Sequence, residues 1–128
     1  GWRGWLGPAL RPRLGAFGGP LAVAGIWALW HLPLFAVHDG FAALPGLPLL
    51  GWLAGIAAAA FVLQHLHDAS GGSILVPALW HLGYNLAVAT PAAGDLLPGL
   101  LTVPVIVWGL VLARRAWDGR ADPQEAPR

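Results

Sequence analysis

Four apolar runs organise the chain: Leu21 to Val37, Leu47 to Leu66, Ser73 to Thr90 and Leu96 to Ala113. Each approaches the ~20 residues that a helix needs to cross a hydrocarbon layer ~30 Å thick. The breaks between them, HDGFAALPG, HDASGG and PAAGD, are rich in turn formers. The pattern predicts an all-α polytopic membrane bundle of about four transmembrane helices, in a domain over residues 1–117. The end, residues 118–128, DGRADPQEAPR, reads as a short disordered tail. No internal repeat is visible, and the N-terminal stretch lacks the apolar core and small-residue cleavage site of a secretory signal.

Composition strengthens the membrane reading. Hydrophobic residues make up 57% of the chain and charged residues 10%, with a mean hydropathy of +0.65; an average soluble domain is about 25% charged. A soluble domain of 128 residues needs a polar skin that this charge content does not supply. The formal charge of +1 makes no case for nucleic acid, so lipid is the first expected partner. With no cysteine, disulfides, thiolate metal sites and a cysteine nucleophile are excluded. The arginines fall outside the runs: Arg3, Arg11 and Arg13 precede the first, Arg114, Arg115 and Arg120 follow the last. An even number of spans puts both ends on one side, and the positive-inside rule makes that side the cytoplasm of a multi-pass protein in the cell membrane. The chain opens GWRGWL and holds no methionine, so it is expected to be a processed product or a piece of something longer.

Polar residues inside apolar runs are costly in lipid and point to chemistry. The first run contains WALWHLPLF, with His31 near its middle and Trp27 one turn before it on the same face. Pro33 lacks an N–H and frees the carbonyl of Leu29, which predicts a bend beside His31. The third run contains WHLGYN, in which the spacing of four sets His81 and Asn85 on one helical face. Taken singly, a membrane histidine or asparagine also serves as a hydrogen-bonding link between helices. Two histidines and an asparagine at similar depth on different helices favour a site. His65 and His67, in QHLHDASGG, have a metal-like spacing but fall at a run's end, where histidine suits a helix C-terminus in water. His38 opens a loop and carries no more weight.

These residues resemble the CPBP intramembrane protease family, which includes the type II CAAX prenyl endopeptidases and the bacterial Abi proteins. Its motifs are Glu-Glu-x-x-x-Arg, Phe-x-x-x-His and His-x-x-x-Asn or Asp. WALWH, Trp27 to His31, is similar to the second with tryptophan for phenylalanine, and HLGYN, His81 to Asn85, matches the third. GWRGWL resembles the segment carrying the arginine of the first motif, and the pieces occur in family order from Gly1 to about Asn85. The resemblance implies a fragment of a larger bundle and an intramembrane metalloendopeptidase acting on a membrane-associated peptide or protein.

Its implied site is His31, His81, Asn85 and Arg3. The histidines and Asn85 would orient water or ligate a divalent metal, zinc for preference, and Asn85 would donate to the oxyanion. Arg3 would pair with the two glutamates, which the motif spacing sets just before Gly1. The first acid in this chain is Asp39 and its only glutamate is Glu125, so the chain alone is expected to be inactive. Arg3 flanked by Trp2 and Trp5 is also the pattern of a membrane interface. Two further readings stay open: a non-catalytic membrane scaffold or remnant, and a small transporter in which the histidines relay protons.

Overall fold

The computed structural model describes residues 1–89 and 96–121, and its regular structure there is entirely helical. A π-helical turn, Trp2–Leu6, leads into α1 (Gly7–Trp30), followed by two short helices, α2 (Leu34–Val37) and α3 (Asp39–Ala42). Three longer helices complete the bundle: α4 (Leu47–Ala69), α5 (Leu75–Ala89) and α6 (Leu96–Ala121). The chain is an all-α membrane helix bundle.

Three stretches among the described residues are long and apolar enough to cross a membrane: Trp2–Val37, Leu47–Ala69 and Leu97–Gly119. The third expected span forms α5, of which the 15 described residues reach about 22 Å. Thr90 and the PAAGD loop lie outside the described residues. Asp118 to Ala121, expected to open the disordered tail, are helical, since α6 runs on to Ala121. Arg114 Nε donates to Asp118 Oδ2 at 2.9 Å, an i,i+4 pair that supports these extra turns. The last residues, 122–128, are not among those described.

The first span departs furthest from expectation, and one glycine is responsible. Gly15 has φ 74° and ψ −176°, a conformation that a side chain would strain, and it divides α1 into two arms. In a continuous helix Trp2 and Trp30 would stand about 42 Å apart. Their ring centroids are instead 6.1 Å apart, edge to face. Likewise a Cβ on Gly19 would lie 3.2 Å from Arg11 Cα, close contact between residues that a straight helix separates by more than two turns. The N-terminal arm therefore doubles back along residues 16–30. Arg3, which the sequence places with Arg11 and Arg13 ahead of the span, is carried into the bundle.

At the other end of α1 the expected bend at Pro33 is present. The helix stops at Trp30, residues 31–33 form turns, and α2 resumes at Leu34. The Leu29 carbonyl that Pro33 frees accepts the N–H of Leu32 at 3.1 Å, a tighter turn that satisfies it.

The core lies where α1 meets α4: Ala24 packs with Ile56 and Ala60, flanked by Trp27, Ala28, Trp52 and Ala57, and Val23 and Val62 are fully buried. The most extensive contact is between α4 and α6, and small residues meet at one point of it. A Cβ on Gly109 of α6 would fall 2.6 Å from Ala58 Cα of α4, so the two backbones touch there. Leu29, Trp30, Leu50, Leu79, Leu100 and Leu110 are each more than half exposed, the apolar outer skin of a bundle whose solvent is lipid.

Candidate active site

Each candidate side chain is placed by a local feature of the backbone. The π turn closes with N–H groups of Trp5 and Leu6 both donating to the Gly1 carbonyl, at 3.2 and 3.1 Å. Residues two apart on such a turn face opposite sides. Arg3 accordingly points inward and is 7% exposed, whereas Trp5 is 71% exposed. Inserted single turns of this kind recur at functional sites.

The Arg3 guanidinium enters a cavity of about 440 Å³ walled by Trp2, Val23, Trp27, Leu63, Pro77, His81 and Asn85 among others. Its Nη1 donates to Gln64 Oε1 across a long 3.4 Å, and its Nε is buried with no partner among the described residues. The nearest carboxylate in the network is Asp68, one amide further away, since Gln64 Nε2 donates to Asp68 Oδ1 at 2.9 Å.

His81 and Asn85 meet as their spacing predicts. Asn85 Nδ2 donates to His81 Nε2 at 3.2 Å. An amide N–H requires a lone pair, so Nε2 is the unprotonated nitrogen and Nδ1 carries the hydrogen in the neutral ring. Trp27 packs its edge against His81, with centroids 5.3 Å apart.

His31 is the departure. It is absent from the residues that wall the cavity, and its ring lies 5.9 Å from that of Trp27, which also meets His81. The bend at Pro33 and the aromatic residues beyond it hold it there. Phe41 stacks on the imidazole at 5.9 Å and Trp52 meets it edge-on at 5.5 Å. His31 Nδ1 sits 2.7 Å from the Trp27 carbonyl, which only accepts, so Nδ1 carries the hydrogen and Nε2 keeps its lone pair. The structure thus gathers Arg3, His81 and Asn85 around one cavity and packs His31 among Trp27, Phe41 and Trp52.

The remaining histidines stand elsewhere. His65 faces Trp108 of α6 at 5.9 Å, His67 Nδ1 is 3.4 Å from Asp68 Oδ1, and His38 meets Phe41 edge-on. Among the described residues no group of three or more His, Cys, Asp or Glu side chains is placed to hold a metal. A metal at His31, His81 and Asn85 would have to displace the Asn85 amide from His81 Nε2 and draw in His31, which does not line the cavity. These donors are not gathered as arranged, and no step below is routed through a metal.

The family description type II CAAX prenyl endopeptidase Rce1-like matches residues 1–87. The chain belongs to this family. The Rce1-like match takes in the N-terminal arm, α4 and the His81 and Asn85 turns of α5, so every wall residue named above lies within it, and α6 lies beyond it. No curated protein and no solved structure matches the chain.

Gln64 is the site residue that sequence analysis passed over. Its signal was available: a polar amide inside an apolar run, which lipid penalises unless it is hydrogen-bonded. Only the partner, 61 residues away, was hidden.

Proposed function

We propose that this chain carries the orienting half of an intramembrane endopeptidase site, which hydrolyses a peptide bond in a membrane-associated peptide or protein. The observation that supports it is the convergence of Arg3, His81 and Asn85 on one cavity, from segments at opposite ends of the family match. Peptide hydrolysis needs a base for the water and a donor for the oxyanion. His81, neutral and with Nδ1–H as its donor, orients one partner, and the Asn85 amide supplies further N–H. Arg3, a cation in an apolar wall with one long hydrogen bond, is the holder of a carboxylate, and that carboxylate is the base. No acid is among the cavity's wall residues, so this chain alone is inactive in this reading.

The test compares three forms in proteoliposomes with a lipidated peptide: the chain as it stands, the chain extended ahead of Gly1 by a segment bearing the paired glutamates, and the same extension with paired glutamines. New peptide termini are read by mass spectrometry. Only the glutamate form should cleave, by about 10²–10⁴-fold over the other two. Equal cleavage by all three would remove the carboxylate from the mechanism, and cleavage by none would remove the peptidase reading. The same bare wall favours one second reading, a non-catalytic membrane scaffold, which the last outcome would support.

A further inference from the structure

Arg3 is held by a residue that is held in turn. We infer that Gln64 and Asp68 of α4 are positioning residues for Arg3, acting as a relay in which the Asp68 carboxylate fixes the Gln64 amide and the amide fixes the guanidinium. The inference rests on the reading of Arg3 as the holder of the catalytic carboxylate, and it adds two residues to that machinery.

The chemistry of each group permits only one direction for the relay. A guanidinium only donates and a carboxylate only accepts, whereas a glutamine amide has one end of each kind. With Nε2 given to Asp68 Oδ1 at 2.9 Å, Oε1 is turned toward Arg3 Nη1 at 3.4 Å. Flipping the amide would oppose N–H to N–H at Arg3 and oxygen to carboxylate at Asp68. The order is therefore set by the terminal charges. Spacing of four along α4 places Gln64 and Asp68 on one face, and Gln64 is 8% exposed, so no bulk water competes for its amide.

The surroundings are cut to fit. A Cβ on Gly7 would lie 3.1 Å from Gln64 Oε1 and 3.3 Å from the Trp2 carbonyl, so glycine leaves the amide its space. Arg11 pairs with Asp68 Oδ2, and His67 Nδ1 approaches Oδ1 of the same carboxylate. One face of α4 thus grips the N-terminal arm at Arg3 and again at Arg11. The arm is thereby held against α4, with Arg3 in the wall of the cavity that His81 and Asn85 also line. A single carboxylate reaches the buried cation through an amide, without contacting it.

The test follows Arg3 directly, in the full chain labelled with ¹⁵N-arginine in detergent micelles. Hydrogen exchange of the Arg3 Nη–H protons, from which Gln64 accepts, is measured by NMR, the signal being assigned by its loss in Arg3→Lys. Gln64→Leu should speed that exchange by about tenfold or more, the weight of a hydrogen bond to a charged group. Gln64→Glu, which keeps an oxygen facing Arg3, should retain slow exchange. Asp68→Asn should give an intermediate rate, and adding it to Gln64→Leu should change nothing further, because Asp68 acts through Gln64. Unchanged exchange in Gln64→Leu with its helical content intact would overturn the relay, and so would additive effects of the two changes. If Gln64→Leu does not fold, Asp68→Asn at the exposed end of α4 decides alone, an unchanged rate again counting against. This readout needs no turnover: a chain inert in every form ends the peptidase reading and leaves the relay standing, whereas an active form indifferent to Gln64→Leu ends the relay.

Discussion

At the scale of single residues, the pair His81 and Asn85 gives the sharpest test. Asn85 Nδ2 now donates to His81 Nε2, which fixes the tautomer with its hydrogen on Nδ1. Asn85→Asp replaces that donor by an acceptor. The ring must then present N–H at Nε2, and ¹⁵N shifts of the two ring nitrogens should exchange character; unchanged shifts would show that the amide does not set the tautomer. In the glutamate-bearing form, His81→Ala should abolish measurable hydrolysis and Asn85→Ala should lower kcat by about 10²-fold, the weight of an oxyanion donor. His31→Ala should act differently. Because His31 packs against Trp27 and bonds its carbonyl, the loss should fall on the orientation of Trp27 and be read as altered tryptophan fluorescence alongside the loss of rate.

At the scale of elements, two glycines decide how helices meet. Gly109 brings α6 onto Ala58 of α4 with no room for a methyl group, so Gly109→Val should cost about 1–3 kcal/mol through overpacking and lower the melting temperature in detergent. Gly83 of α5 has nothing within 4 Å of a built Cβ, and Gly83→Ala should be neutral or stabilise by up to about 1 kcal/mol. A fall for Gly83→Ala as well would show that room for a methyl group does not decide the outcome. Gly15 works through the backbone instead: its φ of 74° lets the N-terminal arm turn back. Gly15→Val should straighten or strain the elbow and separate Trp2 from Trp30, which a loss of their ring contact would report.

At the scale of the whole molecule, the contacts fix which ends lie together. Arg11 pairs with Asp68 at the end of α4, and Phe17 meets Trp117 near the end of α6 with centroids 5.1 Å apart. The elbow and the C-terminal ends of α4 and α6 thus share one face, with Arg114 and Arg115 close by in sequence. By the positive-inside rule the arginine excess predicts that this face is the cytoplasmic one. Cysteines introduced at Ser73 and at Asp39 should therefore label from opposite sides of sealed vesicles, Asp39→Cys from the outer one. Labelling of both from the same side would refute the arrangement.

The class of molecule and the local pairs were legible in the chain itself. Apolar run length dictates membrane helices, and a spacing of four brings Trp27 to His31 and Asn85 to His81 because one helical turn makes neighbours of them. What the tertiary structure alone decided begins at Gly15. A glycine in a run of apolar and arginine residues carries no sign that the chain will reverse there, and the reversal is what delivers Arg3 to α5 and Gln64. It also took the aromatic packing of Phe41 and Trp52 to set His31 apart from the cavity that its motif implies. The physical reason is common to both. A bundle in lipid is apolar inside and outside, so its sequence pattern does not mark which face turns inward, and contacts between residues some sixty positions apart leave no period to read.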